Sequence, residues 1–308
     1  MPLRIVVHVT EPSFPGAVAP QRHASVESVG VRLNLLEWGD PEAPPLVLTH
    51  GMWDHARSFA VFAPLLAERF RVIAIDARGH GDSAWAGAYS WLTDVLDVIN
   101  VLRWVGRRAS LLGHSKGGGQ ATDAARAVPE LVAKLVSIDG FGPPSLDDER
   151  PLPVRFAEFL DQRRTRARAQ VRAQRDTWRP YASLDDLVER RRAQNPRLSR
   201  EWLRYLAFHG AREDRDGWRW KADPLMAHGF GPWRPEWIGP SYATLRVPML
   251  AVTGSEPDTW GPLPEPVLAE RLGRVPQLER RTIAGAGHFV HIEHPAETGR
   301  VVLDFLRS

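Results

Sequence analysis

The 308-residue chain contains no cysteine, which excludes disulfides, thiolate metal sites and a cysteine nucleophile. Lysine is scarce: Lys116, Lys134 and Lys221 are the only three among 40 basic residues. No stretch of 18 apolar residues is present, so no membrane-spanning helix is expected. The first nine residues lack the basic start, long apolar centre and small-residue cleavage site of a secretory signal. A cytoplasmic protein without a membrane partner is expected, with oxygen or nitrogen left to supply any nucleophile.

Hydrophobic residues at 43% and charged residues at 25% suit a folded globular chain rather than a disordered one. The length allows one large domain, or a core carrying an inserted subdomain. The net charge of +3 hides a local excess: between 150 and 221 there are 19 basic and 10 acidic residues. No nucleic-acid-binding motif accompanies that excess, so solvated faces of amphipathic helices explain it better than a nucleic-acid partner.

Short apolar runs at 45–49, 71–76, 109–113 and 134–139 alternate with helical patterns, predicting buried parallel strands joined by crossover helices. An antiparallel hairpin is expected at 25–29 and 31–38, turning near Gly30. Strands resume at 248–253 and 278–283, and a helix at 295–306 closes the chain. Between 142 and 240 the strand pattern stops and proline-punctuated helices take over, with Ser183 and Ser199 as helix starts. The expected organisation is a core of residues 1–142 and 241–308, with a helical cap over 143–240. Six of the twelve tryptophans fall in this cap, at 178, 202, 218, 220, 233 and 237. They are expected mostly to form its core, with some rings left to face a substrate.

Gly113-His114-Ser115-Lys116-Gly117 sits where a predicted strand meets a helix. Glycines there let the adjoining elements close on a sharp turn that exposes the serine hydroxyl. A serine needs a base, and the base an orienting acid. The base candidate is His288, in the loop Gly285-Ala286-Gly287-His288-Phe289 after the last strand. His291 and His294 are read as surface or capping residues, and no carboxylate completes a metal set with them. Thr49-His50-Gly51-Met52-Trp53 follows a buried strand, and the backbone amides of Met52 and Lys116 could together hold a developing negative charge. His50 is read as a brace for that loop. Trp53 and His114 are expected to bind substrate.

Four motifs in order, His50-Gly51-Met52-Trp53-Asp54, Asp76-Ala77-Arg78-Gly79-His80-Gly81-Asp82-Ser83, the Ser115 turn and the His288 loop, make the chain resemble a capped serine hydrolase of the α/β-hydrolase superfamily. Residues 50–59 and 137–143 are similar to its serine-hydrolase-like branch. The resemblance implies an α/β fold with a mostly parallel sheet and a cap inserted after the sixth strand. It also makes Arg78, His80 and Asp82 scaffold. It places the acid either after the strand at 249–253, where Asp258 and Glu256 stand, or at the end of the preceding core strand, where Asp139 stands. Asp139 is slightly favoured over Asp258.

The implied activity is hydrolysis of an apolar or aromatic ester, lactone or thioester through an acyl-enzyme, without cofactor or metal. Two alternatives remain: a carbon-carbon hydrolase of vinylogous diketones, and a catalytically silent binding module on the same scaffold. Oligomeric state is not legible.

Overall fold

The computed structural model describes residues 10–142, 180–228 and 238–308, with 154, 157 and 161 besides. β1 (Arg22–Ser28) and β2 (Val31–Trp38) form an antiparallel hairpin whose turn uses Gly30 at φ 75°. β3 (Pro45–Thr49), β4 (Arg71–Ile75), β5 (Ala109–His114) and β6 (Val132–Ile138) follow. These four are almost wholly buried, as parallel strands covered on both faces must be, and hence read as unbroken apolar runs. A small hairpin pairs β7 (Ala211–Asp214) with β8 (Gly217–Trp220), and β9 (Met249–Gly254) and β10 (Leu278–Ile283) return to the main sheet. Its order is β1-β2-β4-β3-β5-β6-β9-β10, parallel from β4 to β10. β10, at the edge, carries exposed Arg280 and Arg281, which discourage pairing with another chain.

The helices with described bounds are α1 (Ala63–Ala67), α2 (Trp91–Val105), α3 (Lys116–Ala127), α4 (Leu184–Arg192), α5 (Arg200–Gly210), α6 (Ile238–Tyr242), α7 (Glu265–Leu272), α8 (Val290–Glu293) and α9 (Pro295–Arg307). Side chains of α2, α3 and α7 pack in a cluster on one face of the sheet, and those of α1 and α9 on the other. β3 and β5 are neighbours, yet the chain leaves them for opposite faces, toward α1 and α3. That divergence opens a crevice at their carboxyl ends, where open α/β sheets bind ligands.

α4 and α5 begin at the anticipated serines: Ser183 forms a reciprocal capping box with Asp186, and Ser199 accepts from the Trp202 amide at 3.1 Å. Leu184, Leu187, Trp202, Leu203 and Trp218 cluster with Ala60, Val61 and Phe289 of the core, so the insertion is packed onto the sheet domain. Beside its helices the insertion also holds β7 and β8, a hairpin the sequence reading did not anticipate. Tyr181 exchanges two 2.8 Å backbone hydrogen bonds with Trp218, and Gly217 takes φ 140° where the chain presses on Tyr181. The strands are four residues each, too short to show an alternation in sequence. Trp178, Trp233, Trp237 and the expected cap start at 143 lie outside the described residues.

Candidate active site

β5 delivers Ser115 to the crevice. The residue takes φ 54° and ψ −124°, a strained conformation for a side chain with a Cβ. Its N–H donates to the Ile138 carbonyl at 2.9 Å and its carbonyl accepts from Gly118, so the surrounding strands hold the turn. A Cβ on Gly113 would strike the Gly117 backbone, and one on Gly117 would strike the carbonyls of Thr49 and His50. Glycine at these two positions is what allows strand, helix and neighbouring loop to converge.

His288 is fixed at three points. Its Nδ1 lies 2.5 Å from Asp139 Oδ2, with both side chains under 5% exposed. Its N–H donates to Asp258 Oδ2 at 3.0 Å, and its carbonyl accepts from His114 Nε2 at 3.0 Å. The ring stands 4.7 Å from that of His114, the residue before Ser115. Asp139 extends β6 with φ 45° and its own N–H donates to Val252 on β9 at 2.8 Å. Of the acid candidates, Asp139 meets the ring, Asp258 meets the backbone amide, and Glu256 accepts from the Ser255 hydroxyl. With Nδ1 donating to a carboxylate, Nε2 keeps a lone pair, the state a general base requires.

Two expectations about histidines change. His114, expected to bind substrate, is 1% exposed, and the contacts of its ring run to His288 and Phe289 and to His291, where the centroids lie 4.6 Å apart. Burial drives its pKa well below the ordinary imidazole value, so it is a neutral donor bracing the His288 loop. His291, expected at the surface or as a cap, is completely buried against Phe59 and Phe62. Desolvation lowers its pKa to about 3. α8 is a single short turn folded under the His288 loop, which carries the ring inward. Among the described residues no three histidine or carboxylate side chains are grouped to hold a metal ion.

The loop after β3 presses on the Ser115 turn: a Cβ on Gly51 would stand 3.2 Å from that of Ser115. His50 Nε2 accepts from the Ala77 amide at 3.0 Å, so its Nδ1–H donates to the Gly51 carbonyl at 2.7 Å. Burial lowers its pKa to about 3, which keeps it a neutral brace. Among the described residues the Met52 N–H has no acceptor. Trp53, at φ 63°, is half-buried, and Asp54 behind it is 3% exposed. Lys116 opens α3 and directs its ammonium to Asp94 Oδ2 at 2.7 Å. Arg78 makes paired 2.6 Å bonds to Asp97, His80 is fully buried, and Asp82 pairs with Lys221 at the surface.

The sequence reading missed Arg191 and Asp54. Arg191 Nη1 donates to the Trp53 carbonyl at 2.7 Å and Nη2 to Asp54 Oδ1 at 3.2 Å, tying α4 of the insertion to the loop that bears the Met52 amide. A signal existed, since Arg191 continues the Leu184, Leu187, Val188 spacing of the buried helix face.

The α/β-hydrolase family model matches residues 46–301. The chain belongs to the alpha/beta hydrolase family. A serine hydrolase-like protein of Dictyostelium discoideum is 25% identical over 302 residues, which cover 90% of this chain and 79% of that one. A hypothetical protein from Pseudomonas aeruginosa is 28% identical with a TM-score of 0.78, covering 93% of this chain and 99% of that one. The thioesterase domain from the curacin biosynthetic pathway shares the fold at TM-score 0.76 and 24% identity, with 92% and 99% covered. This alpha/beta-family hydrolase has, among its described residues, no helix long and apolar enough to cross a membrane.

Proposed function

We propose that the chain is a serine hydrolase cleaving a carboxylic ester, lactone or thioester through an acyl-enzyme. The buried 2.5 Å contact between His288 and Asp139, beside the strained Ser115 turn, carries this reading. Similarity to a serine hydrolase-like protein supports it. Asp139 holds the His288 tautomer, and Nε2 takes the Ser115 proton as Oγ attacks the substrate carbonyl. The amides of Met52 and Lys116 stabilise the tetrahedral oxyanion. His288 returns the proton to the departing alcohol or thiol, leaving an acyl group on Ser115. Water then gives a proton to His288 and attacks the acyl carbon, and the proton passes back to Ser115 as the acid leaves.

A fluorophosphonate probe should label Ser115 in the folded protein, and Ser115→Ala should lose both the label and at least about a thousandfold in p-nitrophenyl butyrate turnover. Full turnover by Ser115→Ala would overturn the assignment.

A further inference from the structure

A cavity of about 340 Å³ lies between the insertion and the core, lined by Trp53, Asp54, Tyr181, Arg190, Gln194 and Trp220 among others. Its size is at the lower end of the range for small-molecule sites, about 300–1,000 Å³. Ser115 and His288 are not in its wall, but Trp53 and Asp54, which follow Met52 in the loop pressed on the Ser115 turn, are.

The charges around it do not balance. Among the described residues Asp54 is the only acidic one lining the cavity, and Arg191 is committed to it and to the Trp53 carbonyl. His55 also lines the wall, but burial drives its pKa well below the ordinary imidazole value and its Nε2 donates to the Leu206 carbonyl, so it is neutral. One charge is left over, that of Arg190 at the exposed rim, which has no hydrogen bond or ion pair among the described residues. Its neighbour Arg192 reaches Glu189 at 3.7 Å, and Arg200 holds both Glu189 and Asp185, so the arginines around it are provided for.

We infer that this cavity is the subsite for the remote end of the substrate, an apolar or aromatic arm ending in a carboxylate that Arg190 receives. The inference rests on the serine-hydrolase reading and adds the substrate class. Trp53, Tyr181 and Trp220 make part of the wall aromatic, which suits such an arm, and a planar guanidinium matches a carboxylate with two parallel hydrogen bonds. A single uncompensated cation suits a monoanion better than a phosphate dianion.

Calorimetric titration of the full chain with 3-phenylpropionate and its neutral amide tests the subsite without any turnover. The acid should bind at least about tenfold more tightly than the amide, and Arg190→Gln should abolish that preference. Equal binding of acid and amide by the wild type, or a preference that survives Arg190→Gln, overturns the proposal. Kinetically, the kcat/KM ratio of p-nitrophenyl hemisuccinate to p-nitrophenyl butyrate should fall about tenfold or more in Arg190→Gln, and an unmoved ratio counts against the subsite. Failure of the hydrolase reading would show separately, as turnover retained by Ser115→Ala.

Discussion

On the α2 side of Ser115, charged groups are buried and answered: Arg78 is held by Asp97, and Lys116 and Gln120 both reach Asp94. On the side of the insertion, Arg191 is spent on Asp54 while Arg190 lines a cavity with no counter-ion among the described residues. The first region fixes the turn that carries Ser115 and tolerates no mismatch, because an uncompensated charge there has no water to fall back on. The second leaves a charge for something that is not part of the chain. On the proposed reading, positioning and selection are divided between sheet and insertion.

The division is tested first at the acid. Asp139→Asn should lower ester turnover by about a hundredfold to ten-thousandfold by unsettling the His288 tautomer. Asp258→Asn, at a carboxylate that accepts from the His288 and Thr259 backbone amides and not from the ring, should cost at least tenfold less in the same assay. Equal losses would mean that both carboxylates act on the ring. Next, Arg78→Met should destabilise the fold by about 3–5 kcal/mol in urea titration, since Asp97 is left buried without its partner. Arg190→Gln should shift the same transition by no more than about 0.5 kcal/mol, as expected of an exposed side chain. If the two variants unfold alike, the contrast between the sides is lost.

A smaller effect comes from Asp54. Burial raises its pKa from 3.8 to about 6, against the opposing pull of Arg191. A carboxylate whose folded pKa lies above its unfolded one binds extra protons in the native state, so its contribution to stability falls as pH rises. The stability difference between wild type and Asp54→Asn should therefore decline between about pH 4 and 6 and level off above, by at most about 3 kcal/mol. A flat difference across that window, followed by chemical denaturation, would show that Asp54 titrates as an ordinary carboxylate.

The core strands were legible because burial on both faces forces unbroken apolar runs, as in Pro45–Thr49 and Arg71–Ile75. Ser115 and His288 were legible because a sharp turn and a glycine-rich loop leave local traces. Asp139 could be favoured over Asp258 only slightly, since which carboxylate meets a ring 149 or 30 residues away depends on how β6 and β9 stack, not on local spacing. His291 was misplaced for a similar reason: its burial comes from Phe59 and Phe62, more than 200 residues earlier. In the run Arg190-Arg191-Arg192, three identical letters conceal three different fates: a cavity rim, a buried ion pair and a surface contact.

The bonds from Arg191 to Trp53 and Asp54 also bear on how such a molecule can be altered by recombination. A foreign cap grafted onto this core must bring a cation to the place of Arg191, or Asp54 is stranded in the interior and the neighbouring loop loses its tether. The insertion is therefore not an interchangeable module, and chimaeras that keep an arginine at this one position should outlast those that merely match its length.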